Sequence, residues 1–162
     1  MSDWADEAAE RPSARGRRFA VAAARFNREV TSRLVAGALE AFRESGVPAD
    51  DVELLWVPGA LELPVVTKRL AESESYDAVV CLGAVIRGET PHFDFVAGEA
   101  ASGIQRVALD TGVPCIFGVL TTETVEQAMD RAGGARGNKG REAALAAIDT
   151  AAALDAVPKK EA

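Results

Sequence analysis

Apolar residues along the chain fall into two alternating rhythms. Dense runs occur at Phe19 to Ala24 (FAVAAA), Val52 to Val57 (VELLWV), Ala78 to Ile86 (AVVCLGAVI) and Val113 to Leu120 (VPCIFGVL). Such runs suit strands buried on both faces of a parallel sheet. Between them, apolar residues recur at the three-to-four spacing of helices that bury one stripe. The first stripe is Val30, Leu34, Val35, Ala38, Leu39 and Phe42; the second Leu63, Val66 and Leu70; the third Val96, Ala100, Ile104 and Val107. A fourth is Val125, Met129 and Ala132, and Leu145 and Ile148 anchor an Ala-rich fifth helix from about Asn138 to Leu154. Its narrow Ala face suits close packing against a neighbour, in this subunit or another. Gly46 and Gly112 sit where the first and third helices should close, and Pro64 restricts the second to a start near residues 61 to 63. Thr122 is placed to cap the fourth, with Glu123 and Glu126 in its first turn. Pro114 fits only the first residues of its strand.

Four strands alternating with five helices, without an internal repeat, predict an α/β fold. Right-handed crossovers place helices on both faces of a central four-stranded parallel sheet, giving a three-layer α/β/α flavodoxin-like domain. Sites in such sheets lie at the carboxyl ends of strands. The run ending at Ile86 passes there into Arg87, Gly88, Glu89, Thr90, Pro91 and the only histidine, His92, with helical spacing from about Phe93. Gly83 and Gly88 have the spacing of a phosphate loop, but Glu89 stands where that loop needs Lys, so a nucleoside triphosphate site is rejected. Backbone N–H groups of the turn can still hold a single phosphate when a cation joins them. His92 reads either as a helix-entry residue or as a proton-transfer group, because imidazole titrates near neutral pH.

The other strand ends carry similar pairs of readings. Asn27 is either the N-cap of the first helix or part of the same mouth. Phe26 is either a lid on the core or a stacking face for a planar ligand. Glu62 lies at a helix start, where the backbone dipole favours a carboxylate with or without a ligand. Arg131 has the position of a charge that complements a helix C-terminus, and Phe117 reads as core. Gly133 to Gly140 (GGARGNKG) combines four glycines with Arg136 and Lys139. A loop of this kind either admits the close approach of another molecule or is a plain linker.

Composition narrows the class. A chain of 162 residues, 48% of them apolar, suits one domain that buries roughly 70% of its extended surface. A net charge of −7 argues against nucleic acid as a partner, since that binding rests on Lys and Arg. Cys81 and Cys115 both fall within apolar runs and read as buried thiols of a reducing cytoplasm. No run has the length of a membrane span, and residues 1–18 lack the apolar core of a signal peptide. They read as a flexible N-terminal arm whose basic end, Arg15, Arg17 and Arg18, is a solvated lead-in to the domain at 19–154, and residues 155–162 as a free tail.

Six segments taken in order add a family resemblance: ARFN (24–27), WVPGALELP (56–64), YDAVVCLGAVIRGETPHFDFV (76–96), GVPCIFGVLTTET (112–124), QAMDRAG (127–133) and GNKG (137–140). Together they resemble the lumazine synthases across residues 19–154. The resemblance implies condensation of 5-amino-6-(D-ribitylamino)uracil with 3,4-dihydroxy-2-butanone 4-phosphate. The products would be 6,7-dimethyl-8-ribityllumazine, phosphate and water, in the penultimate step of riboflavin biosynthesis, with no metal or organic cofactor. By position, it implies that Phe26 stacks on the pyrimidine, with Asn27 at the same edge. Ala60, Leu61 and Glu62 would bind the ribityl chain, with Val85 and Ile86 also contacting substrate. Gly88, Glu89, Thr90 and Arg131 would hold the phosphate and His92 would shuttle protons. Lys139 and Phe117, the latter from a neighbouring subunit, would complete the pocket. Leu61 departs from the Phe that many members carry. The resemblance also implies a homo-oligomer with sites between adjacent subunits: a pentamer, or a shell of 60 chains, toward which the short GGARGNKG loop leans. Association with riboflavin synthase is a further implied partnership. The rival readings are an archaeal-type riboflavin synthase and a shell-forming or flavin-binding homologue without catalysis.

Overall fold

The computed structural model describes Trp4 and residues 11–161; the remainder of the expected arm, and residue 162 of the expected tail, lie outside the described residues. Strands β1 (Phe19–Ala24), β2 (Val52–Val57), β3 (Ala78–Ile86) and β4 (Cys115–Thr122) form one parallel sheet in the order β2-β1-β3-β4. Helices α1 (Arg28–Glu44), α2 (Leu63–Glu72), α3 (His92–Thr111), α4 (Val125–Asp130) and α5 (Lys139–Ala156) surround it. Crossover handedness accounts for the layers. The step from β1 to β2 runs one way along the sheet, the next two steps run the other way, and α1 therefore covers one face while α2 and α3 cover the other. Helix α5 joins α1. The α/β flavodoxin-like class read from the sequence is the fold observed.

Strand alternation divides the core between the layers. Phe19, Val21 and Ala23 face α1 and α5 together with Val80, Leu82 and Ala84, and Phe19 stacks on Phe42 with ring centroids 4.6 Å apart. Ala20, Ala22 and Ala24 face α2 and α3 with Val79, Cys81 and Val85. The Ala face of α5 is buried inside the same chain, where Ala144 and Ala147 meet the α1 layer with no exposed surface.

Several features differ from the sequence reading, each for a physical reason. Strand β4 begins two residues late, because Pro114 has no N–H for the ladder; its carbonyl instead accepts from Val79 N–H at 2.8 Å. Helix α4 is capped by Thr124, whose Oγ1 accepts from Gln127 N–H at 3.1 Å, while Thr122 ends β4 and its hydroxyl donates to the Thr124 carbonyl. The helix is consequently short: Val125 is 53% exposed, Ala128 is its buried residue, and Glu123 precedes it. The glycine-rich stretch is no open loop but an antiparallel hairpin of β5 (Ala132–Gly134) and β6 (Gly137–Asn138), and α5 continues to Ala156. The basic end is only in part the expected solvated lead-in: Arg15 and Arg18 are exposed, while Arg17 is partly buried. Arg17 pairs with Asp155 at 2.7 Å, Arg18 lies over the Tyr76 ring, and Ala14 is fully buried, which straps residues 11–18 onto the domain.

Both thiols are buried, as their apolar runs implied. Cys81 is fully buried, with Sγ 3.1 Å from the Thr67 hydroxyl, and burial pushes its pKa up to about 12. Burial likewise raises Cys115 to about 11. Since the thiolate is the reactive form, iodoacetamide at pH 8 should leave both unmodified in the folded protein and alkylate both after unfolding. Mass spectrometry reads this directly, and rapid labelling of folded Cys81 would contradict it.

Candidate functional site

The strand order contains one switch point, between β1 and β3, from which the chain leaves in opposite directions and so opens a crevice at the carboxyl ends. A cleft of about 370 Å³ lies there. Its walls combine Phe26 after β1, Ala60, Leu61 and Glu62 after β2, Val85 and Ile86 at the end of β3, and His92 and Phe93 opening α3. Each is held by backbone geometry at the end of its strand. Phe26 N–H donates to the Pro58 carbonyl at 3.0 Å, which sets the ring beside the turn after β2. That ring is 72% exposed, so it is no lid on the core. Ala60–Glu62 forms a single 3-10 turn that feeds α2, with Pro64 in the first turn of the helix as its missing N–H requires. Leu61 is 47% exposed, a surface leucine kept at the cleft mouth.

The turn from Arg87 to Pro91 is strapped at both ends. Arg87 N–H donates to the Thr122 carbonyl at 2.9 Å, and its guanidinium reaches Glu123 (2.9 Å) and Asp94 (3.3 Å) while lying 4.3 Å from the Phe93 ring centroid. Hydrogen bonding to Glu123 and then Asp94 raises its pKa above the usual arginine value. The cation is thus committed to carboxylates, and Gly88, Glu89 and Thr90 stand exposed between the two straps. His92 opens α3, its N–H directed at Thr90 Oγ1 at 3.4 Å, and its side chain is exposed at the cleft. The helix therefore starts one residue earlier than its spacing indicated.

A second cleft, of about 440 Å³, runs beside the edge strand β4. It is lined by Phe117, Thr121, Thr122, Arg131, Arg136, Lys139 and Glu142. Three cations and one carboxylate give it the opposite character from the apolar first cleft. Asn138 caps α5 by accepting from Arg141 N–H at 3.0 Å, and its amide donates to the Arg33 carbonyl at 3.0 Å, which fixes where Lys139 leaves the hairpin. Arg131 donates to the Gln127 carbonyl at 2.9 Å, the helix-end role foreseen for it, while its side chain lines the cleft.

The predicted residues are therefore divided. Phe26, Ala60, Leu61, Glu62, Val85, Ile86 and His92 share the first cleft; Phe117, Arg131 and Lys139 share the second. Gly88, Glu89, Thr90 and Asn27 line neither. Phe117 is half-buried on the edge strand, packed against the α2–α3 core layer as its run suggested and lining the second cleft with the rest of its surface. Asn27 stands at the N-cap of α1 without capping it. Sequence reasoning left Arg136 and Phe93 out of the site. The first carried a signal, since Arg136 shares the GGARGNKG stretch with Lys139, whereas Phe93 looked like one more helix residue.

Among the described residues, no helix is long and apolar enough to cross a membrane. A family model described as 6,7-dimethyl-8-ribityllumazine synthase matches residues 16–155, nearly the whole chain and every element that builds the two clefts. The chain belongs to the 6,7-dimethyl-8-ribityllumazine synthase family.

Proposed function

We propose that the protein condenses 5-amino-6-(D-ribitylamino)uracil with 3,4-dihydroxy-2-butanone 4-phosphate to give 6,7-dimethyl-8-ribityllumazine, phosphate and water. The observation that carries this reading is the first cleft, which puts an exposed aromatic face, a helix-start carboxylate and the only histidine at one switch point, in a chain of this family. Phe26 supplies a face for the pyrimidine, and Ala60 to Glu62 lie along the path of the ribityl chain. The exposed turn Gly88 to Thr90 receives the phosphate through its backbone N–H groups, with Arg131 as the cation that such a turn needs. His92, next to that turn, takes and returns protons as the 5-amino group adds to the ketone and water leaves, as the phosphate is eliminated, and as the ribityl-bearing nitrogen closes on the carbonyl so formed with loss of a second water. Much of the remaining acceleration comes from holding two substrates together in reactive geometry.

The division between two clefts supports an assembled site. We take the cationic cleft beside β4 of one subunit, with Phe117, Arg131 and Lys139, to face the Phe26–His92 cleft of the next within a homo-oligomeric ring. An apolar cleft for a planar ring and a cationic one for a phosphate are complementary halves for these two substrates.

The test is to mix purified protein with both compounds and follow lumazine absorbance together with phosphate release, which should rise in equal amounts. Lumazine without phosphate, or neither, would overturn the reaction. Stacking of a nucleobase-like ring on an aromatic side chain is worth about 1–3 kcal/mol. Phe26→Ala should therefore raise KM for the aminouracil by about tenfold or more while KM for the phosphate compound stays near its parental value. An unchanged aminouracil KM would remove Phe26 from ring binding.

A further inference from the structure

Asn27 is one of two non-glycine residues with positive φ among those described, at φ 59° and ψ 44°. It occupies the N-cap position of α1, where an asparagine side chain ordinarily accepts from the first turn, yet it makes no cap bond. Its main-chain carbonyl closes that turn instead, accepting from Val30 N–H at 3.0 Å and Thr31 N–H at 3.1 Å. The side-chain amide is sent elsewhere: Nδ2 donates to the carbonyl of Ala84, 57 residues away on β3, at 2.8 Å.

The reason lies in how β1 ends. Consecutive N–H groups of a strand face opposite sides, but Arg25 and Phe26 both donate toward β2, to Val57 (2.8 Å) and Pro58 (3.0 Å). The backbone has left the β1–β3 ladder, whose last pair is Ala23 with Leu82. Beyond that pair, the Asn27 amide makes the link to β3. It therefore spans the switch point where the crevice opens, joining the segment that carries Phe26, one wall of the first cleft, to Ala84, which lies on its floor beside Val85 and Ile86. Asparagine suits the position twice over, since it tolerates left-handed backbone and carries a donor of the right reach.

We propose that Asn27 is a positioning residue: its amide, tied to the Ala84 carbonyl across the switch point, sets the angle at which Phe26 overhangs the cleft and hence where the planar ring of the substrate lies. This rests on the reading of that cleft as the aminouracil site. Asn27 acts through Phe26, and small misplacement of a reacting group costs up to about 10²-fold in rate.

The test compares Asn27→Gly, which keeps the left-handed backbone and loses the amide, with Asn27→Asp, which keeps the shape and turns the donor into a carboxylate facing a carbonyl. Both are measured alone and combined with Phe26→Ala, by steady-state kinetics on each substrate and by thermal unfolding. Each variant that folds should raise the aminouracil KM about tenfold, leave the KM of the phosphate compound unchanged, and add little once Phe26 is already alanine. Parental constants, or effects that simply add to those of Phe26→Ala, would overturn the proposal. Failure of both variants to fold would assign Asn27 to stability alone and overturn it as well. A parental chain that forms no lumazine would instead bring down the functional reading, and this proposal with it.

Discussion

His92→Ala is expected to slow turnover by about 10² to 10⁴-fold, the usual worth of general acid–base help, without unfolding the protein. Its side chain is exposed at the first position of α3, where it lines the cleft and fills no core space. Truncation at such a surface position changes stability by about 0.5 kcal/mol or less. The loss should fall on kcat more than on either KM, because an imidazole that moves protons works chiefly in the transition state. Single-turnover kinetics would separate that step from product release. Turnover equal to that of the parent would remove His92 from the chemistry.

The largest effect on stability is expected at Gly140→Ala. A Cβ at this position of α5 would stand 1.9 Å from the carbonyl oxygen of Leu34 in α1 and 2.6 Å from its carbonyl carbon. No rotamer change can relieve a collision with backbone, so α1 and α5 must separate along the face where Ala144, Ala147 and Leu34 are fully buried. Overpacking of this kind costs about 3 kcal/mol or more, which corresponds to a fall in Tm of roughly 6–12 °C for a domain of this size. Gly98→Ala is the control. That glycine lies on an exposed stretch of α3 with nothing within 4 Å of a new Cβ, so substitution should be neutral or stabilising by about 0.5–1 kcal/mol. Thermal unfolding at one fixed protein concentration distinguishes the two, since assembly makes Tm depend on concentration. Equal Tm values for parent and Gly140→Ala would show that the helices part freely. Because Gly140 directly follows Lys139, a folded variant would also shift the cation that leaves the hairpin.

Much of this architecture was legible because its causes are local in sequence. The run from Ala78 to Ile86 is apolar at every position except Gly83, and it became the strand β3, buried along nearly its whole length. Pro64 and Gly112 bounded their helices for covalent reasons that no tertiary contact could override. Features decided by partners distant along the chain were not legible. Thr122 and Thr124 are both able to cap, and the choice went to Thr124 because ladder pairing with β3 extends β4 to Thr122. Glycines in the GGARGNKG stretch advertised freedom, yet Asn138 held the stretch in a hairpin through its bond to Arg33, 105 residues away. Nor could spacing show that Arg87, next to the glycine turn, is held by Glu123 and Asp94.

The candidate site shows the same boundary. Its residue types were readable one at a time, since a strand-end phenylalanine, a turn glycine and a lone histidine each suggest chemistry. Their partition was not, because spacing along the chain carries no information about which of two clefts a residue lines. Arg131 could be read as a phosphate ligand or as a helix-end charge, and the structure gives it a bond to Gln127 together with a place in the cationic cleft. Asn27 could be read as a cap or as part of the mouth, and its tie to β3 required knowing that Ala84 lies beside it.

The measurement that bears most directly on a site shared between subunits is lumazine formation by His92→Ala and Arg131→Ala chains, each purified alone and then co-expressed. Each variant alone breaks one half of every site and should turn over slowly. Mixed rings should regain activity, because random assembly in equal amounts pairs an intact first cleft with an intact second one at about a quarter of the interfaces. Recovery toward that fraction, with phosphate released in step, is the predicted result. A co-expressed mixture no faster than the two variants separately, or a parental protein that forms no lumazine, would contradict it.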